Sequence, residues 1–104
     1  MFQFTSEDLA SRLSSTAQPV VVDFWAEWCS PCVDFTRVLD EIATELDGQV
    51  VVGGLDIGAF PDVAARYGVA SIPTALLFVD GEPVRRLQGP RPKRHVLREI
   101  QTLL

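Results

Sequence analysis

Only two residues separate the two cysteines of this chain, in the run Cys29-Ser30-Pro31-Cys32. Two thiols at that spacing can interconvert between dithiol and disulfide, and the thiolate form is the nucleophile that opens another disulfide. The motif stands where an apolar, β-branched run, Val20-Val21-Val22-Asp23-Phe24-Trp25, gives way to a helical pattern. This places Cys29 just before or at a helix start, where unpaired backbone N–H groups and the positive end of the helix dipole stabilise a thiolate. Cys32 falls inside the first turn on the apolar face, shielded and suited to resolve a mixed disulfide. Pro31 fits that turn because the N–H it lacks would be unpaired there in any case.

Two other readings of the pair stand beside redox chemistry. A structural disulfide closing so short a loop removes little entropy from the unfolded chain. A structural zinc site needs about four ligands, and the one histidine, His95, lies far along the chain in the closing helix, so zinc would require a site shared between molecules. No metal and no bound cofactor is expected. Asp23 is the other candidate reacting group. Set among Val20, Val21, Val22, Phe24 and Trp25 it is desolvated if the strand is covered on both faces, and its pKa rises toward a range useful for proton transfer. At a strand end it would instead be solvated.

The elements that must position these groups alternate along the chain. A short strand near Phe2 to Phe4 precedes a helix capped by Thr5 or Ser6, reinforced by Asp8 and ending near Ser15. After the strand Val20 to Trp25, Cys32, Phe35, Leu39, Ile42 and Leu46 recur at helical spacing until Asp47-Gly48. Val50 to Asp56 reads as a strand, and Phe60-Pro61-Asp62 opens a short helix that Gly68 stops. Thr74 to Val79 is a strand, Asp80-Gly81 a tight turn, and Val84 to Gln88 its hairpin partner. Val96, Leu97, Ile100, Leu103 and Leu104 form the apolar stripe of a closing helix. The order β-α-β-α-β-α-β-β-α predicts an α/β fold, a central mixed sheet of about five strands flanked by about four helices.

With 104 residues, 47% hydrophobic and 22% charged, the chain has the composition of one folded domain spanning residues 1–104. Nine Lys and Arg against fourteen Asp and Glu give a net charge of -5, so no basic field is available to hold a nucleic-acid backbone. The N-terminal segment lacks a basic region followed by an apolar one, and no apolar run is long enough to span a bilayer. A soluble cytoplasmic monomer without membrane or nucleic-acid partners is expected.

The segment Val22-Asp23-Phe24-Trp25-Ala26-Glu27-Trp28-Cys29-Ser30-Pro31-Cys32 resembles the active-site segment of the thioredoxin family. The resemblance continues through Leu39-Asp40-Glu41-Ile42-Ala43, Tyr67-Gly68-Val69, Ile72-Pro73-Thr74, Leu77-Phe78 and Asp80-Gly81-Glu82, over nearly the whole chain. It implies the thioredoxin fold, thioredoxin reductase as electron donor and protein disulfides as substrates. It also implies that Cys29 attacks, that Cys32 resolves and that Asp23 is the buried carboxylate accepting the Cys32 proton. By the same resemblance Pro73 is a cis-proline beside the dithiol, and Trp28, Ser71, Ile72, Pro73 and Gly89 form a flat apolar recognition surface. Relatives that oxidise or isomerise disulfides usually carry histidine before the second cysteine, whereas Pro31 is typical of reductases. A non-enzymatic member would use the same surface only to hold partners.

Departures from the family pattern cluster at the active site. Gly54 replaces the lysine that commonly accompanies the buried carboxylate, Ser30 replaces glycine, and Val33 replaces a basic residue, with Asp34 following. These changes leave the local field less positive and favour the thiolate less. Arg37 stands in place of a helix-kinking proline, which predicts a straighter helix.

Overall fold

The computed structural model describes residues 1–104 and contains nine elements in the expected order: β1 (Phe2–Gln3), α1 (Ser6–Ser15), β2 (Val20–Trp25), α2 (Ser30–Glu45), β3 (Val51–Asp56), α3 (Pro61–Arg66), β4 (Thr74–Val79), β5 (Glu82–Gln88) and α4 (Lys93–Gln101). The strands form one sheet in the order β1-β3-β2-β4-β5. β1 and β2 flank β3 in parallel, while β4 pairs antiparallel with both β2 and β5. β2 is thus central, which explains a strand apolar on both faces.

Alternation along β2 divides the core. Val20, Val22 and Phe24 pack with Leu9 of α1 and Val63 and Ala64 of α3. Val21 points the other way, toward Phe35, Leu39 and Ile42 of α2 and Val96 and Ile100 of α4. Each of these large side chains contributes about 1.5–3 kcal/mol by leaving water. Asp23 shares the face of Val21, so it lies beneath α2 and not in solvent.

Local signals explain the element ends. Thr5, not Ser6, caps α1: its hydroxyl accepts from the Asp8 N–H at 3.0 Å while Asp8 Oδ2 accepts from the Thr5 N–H at 3.3 Å, closing a capping box. Asp80 and Gly81 adopt φ of 52° and 81°, the paired left-handed conformations of a two-residue hairpin turn. That turn pairs Val79 with Glu82, so β5 begins two residues before the expected Val84. β3 begins at Val51 and not Val50. α4 ends at Gln101, and although Leu103 packs on the core, Leu104 is exposed and lies outside the predicted stripe. A helix of that length runs out before it can carry Leu104 back to the sheet.

Candidate active site

Cys29 is the N-cap of α2, with extended backbone and no side-chain capping bond. Its Sγ therefore lies at the helix N-terminus, and no acidic residue in the first turn opposes the dipole there. Asp34, which was expected to weaken the field, is paired with Arg37 Nη1 at 3.1 Å on the exposed face of the helix. Such a surface pair is worth only about 0–1 kcal/mol, but it offsets the acidic charge locally. Cys32 sits in the first turn, and the two sulfurs form a disulfide across a Cα–Cα distance of 5.4 Å. Both residues are buried and pack with Ala26 against Trp25, Ile57 and Ile72.

Behind them Asp23 is fully buried, not solvated at a strand end. Its strand partners are Gly54 on β3 and Ala75 on β4, and neither brings a polar side chain. Thr36 Oγ1 donates to Asp23 Oδ2 at 2.5 Å, whereas Oδ1 has no partner. Burial pushes the carboxyl from 3.8 up to about 6, and the Thr36 hydrogen bond opposes part of that rise.

A pocket of about 350 Å³ opens beside the disulfide, lined by Gln3, Trp25, Ala26, Glu27, Cys29, Cys32, Val33 and Thr36. Gln3 and Thr36 are the site residues that the sequence reading missed. Thr36 had a signal, since it lies four residues after Cys32 and so shares its helix face. Gln3 had none, because only the pairing of β1 with β3 places it opposite Gly54 and within reach of Trp25, whose Nε1 donates to Gln3 Oε1 at 2.9 Å.

Trp28, Ser71, Ile72, Pro73 and Gly89 fall on loops. Trp28 is 73% exposed and borders a shallow depression with Glu27, Asp56 and Gly58. The Ile72-Pro73 peptide is cis. Ile72 packs on the cysteine cluster, while its backbone N–H and C=O take no part in the hydrogen bonding of the chain. Pro73 is buried, and its carbonyl accepts from the Gly89 N–H at 2.8 Å. Ser71 is exposed and its carbonyl accepts from Thr74 Oγ1. His95 lies in α4, 2.9 Å from Arg91 Nη1 through its Nε2.

A dithiol pair at a helix N-terminus on a five-stranded mixed sheet defines a disulfide-exchange site. The family model described as Thioredoxin matches residues 1–102. Thioredoxin of Mycobacterium tuberculosis (strain H37Rv) is 43% identical over 100 residues, covering 96% of this chain and 86% of that protein. A bifunctional thioredoxin reductase/thioredoxin of Mycobacterium leprae is 39% identical over 102 residues, 98% of this chain and 22% of that one. Among solved structures, chloroplastic thioredoxin z superposes with a TM-score of 0.90 at 28% identity, covering 99% of this chain and 93% of the other. The chain belongs to the thioredoxin family. It is a thiol–disulfide oxidoreductase that reduces protein disulfides by dithiol–disulfide exchange through Cys29 and Cys32.

Proposed function

We propose that the two cysteines divide the exchange, with Asp23 managing the proton between them. The Cys29 thiolate attacks one sulfur of a substrate disulfide, forming a mixed disulfide and releasing the first substrate thiolate. Cys32 passes its proton to the Asp23 carboxylate and attacks Cys29 Sγ. The Cys29–Cys32 disulfide forms, the second substrate thiolate leaves, and two electrons have moved from the protein to the substrate. The observation that carries these roles is the asymmetry of the pair, Cys29 capping α2 and Cys32 within its first turn above a buried carboxylate.

Trp28, Ser71, Ile72, Pro73 and Gly89 serve as the substrate-binding surface, with Ser30 and Pro31 as the active-site turn. An extended substrate segment pairs with the free backbone of Ile72, and the exposed Trp28 indole adds apolar contact, which suits broad specificity. Thioredoxins normally take electrons from thioredoxin reductase, and the Mycobacterium leprae relative carries both names in one chain. The same donor serves this protein, a single domain over residues 1–104 that works as a cytoplasmic monomer. No helix is long and apolar enough to cross a membrane.

The test is insulin reduction, first with dithiothreitol and then with NADPH and thioredoxin reductase. Activity in both arms supports the roles and the donor, and activity only in the first removes the donor. A double Cys29→Ser, Cys32→Ser variant that keeps the function intact would establish a binding module instead.

A further inference from the structure

We propose that Thr36 is the positioning residue for the proton acceptor, clamping Asp23 Oδ2 so that Oδ1 alone remains to receive the Cys32 proton. The inference rests on the reading of Asp23 as that acceptor. Thr36 lies one helical turn beyond Cys32, and both side chains line the pocket beside the disulfide. A threonine inside a helix commonly returns its hydroxyl to the carbonyl four residues back. Thr44 of the same helix does so, donating to the Asp40 carbonyl at 3.3 Å. Thr36 instead reaches across to β2 and donates to Asp23 Oδ2 at 2.5 Å.

Nothing else holds the carboxyl. Oδ1 is buried without a partner, and the residues paired with Asp23 on the neighbouring strands are Gly54 and Ala75. From α2 the same layer receives Cys32, Phe35 and Leu39, from α4 Val96 and Ile100, and from β1 the neutral Gln3 amide. Charged groups on the elements packed around it are Asp56 at the end of β3, engaged with the Gly58 N–H, the exposed Glu27 at the pocket rim, and Asp40 of α2, paired at 3.2 Å with the Met1 ammonium of the same core layer. The ammonium in that layer is taken up by Asp40, and the Thr36 hydroxyl is the one group that hydrogen-bonds the Asp23 carboxylate. A donor to the ionised form lowers the pKa against the effect of burial. It keeps the base available near neutral pH and fixes which oxygen is free.

Thr36→Val removes the hydroxyl at nearly constant shape, Thr36→Ala removes it with a smaller side chain, and Thr36→Ser retains it. The readouts are the ¹³C titration of the Asp23 carboxyl in the oxidised protein and the pH profile of mixed-disulfide resolution by stopped flow. We expect Thr36→Val and Thr36→Ala to move the Asp23 midpoint upward by about one pH unit, the size of effect of a hydrogen bond to a charged group. Resolution near pH 6.5 should slow by about threefold and converge with the parent rate at high pH, while Thr36→Ser stays close to the parent. An unmoved midpoint in Thr36→Val or Thr36→Ala overturns the inference, as does a Thr36→Ser variant shifted as far as either. Asp23→Asn separates the two levels. If it leaves the pH profile of resolution unchanged, the acceptor role of Asp23 itself fails; if it abolishes that profile while Thr36→Val does nothing, only the role of Thr36 fails.

Discussion

The Gln3 amide occupies the space in which a side chain on Gly54 would begin: a Cβ at Gly54 would come within 2.7 Å of Gln3 Nε2. The two residues are paired across β1 and β3, and Gly54 is paired in turn with Asp23 across β3 and β2. Gln3 thus covers the position from which the family's lysine would approach the carboxylate.

Gly54→Lys should lower the Asp23 pKa from about 6 by placing a cation on the carboxyl's own face of the sheet. The new side chain must displace Gln3 and its bond to the Trp25 indole, but Gln3 is exposed and can swing outward. The loss of that neutral hydrogen bond costs about 1 kcal/mol. Resolution near and below pH 6 should quicken, because a larger fraction of Asp23 is ionised and able to accept the Cys32 proton. Titration of the Asp23 carboxyl by NMR in both proteins decides the matter, and superimposable curves would mean the lysine cannot reach it.

Cys29→Ser should abolish turnover, whereas Cys32→Ser should retain the attacking thiolate and accumulate mixed disulfides with substrates. Mass spectrometry of the two variants recovered from lysates reads this directly. Trapping by Cys29→Ser in place of Cys32→Ser would exchange the assigned roles.

Asp23 links stability to pH with a defined sign. Its carboxyl titrates near 3.8 when unfolded and near 6 in the fold, so the folded state binds the proton more tightly. Stability therefore falls as pH rises from about 4 to 6 and levels above that range, by an amount on the order of 2–3 kcal/mol. Asp23→Asn should remove this slope and stabilise the protein at pH 7 by on the order of 1–3 kcal/mol, since no buried charge remains. It should also slow resolution, because the amide cannot accept the Cys32 proton. Guanidinium melts across that pH range check the first half, and a parent protein with flat stability would refute it.

Val33 lies 64% exposed beside both cysteines at the pocket rim. Val33→Lys should place a cation near the Cys29 thiolate and lower its pKa by a few tenths of a unit, an effect that shrinks in high salt because the site is solvent-screened. Iodoacetamide alkylation rates measured against pH, at low and high ionic strength, test this. A salt-independent shift would point to altered helix geometry and not to charge.

How far the sequence reaches can be judged from particular residues. Local chemistry was legible throughout. The β-branched run around Asp23, the Thr5 and Asp8 cap, the Asp80-Gly81 turn and the Cys29–Cys32 spacing each act over a few residues, so their consequences are written in short stretches of chain. Periodicity likewise announced the buried faces of α2 and α4, because helical geometry converts spacing into a side. Periodicity did not give the sheet order; the family resemblance put Gly54 by the carboxylate, but Gln3 and Thr36 beside it were not legible. Which strand lies beside which depends on contacts between residues far apart in the chain. Only that order sets Gly54 against Asp23, lays Gln3 over Gly54 and brings Trp25 within reach of Gln3. Thr36 marks the boundary between the two kinds of information. Its spacing from Cys32 placed it on the right face of the helix, but its choice of Asp23 over a backbone carbonyl was decided by the packing of α2 on β2, which seats a buried carboxylate oxygen within hydrogen-bond distance of the hydroxyl.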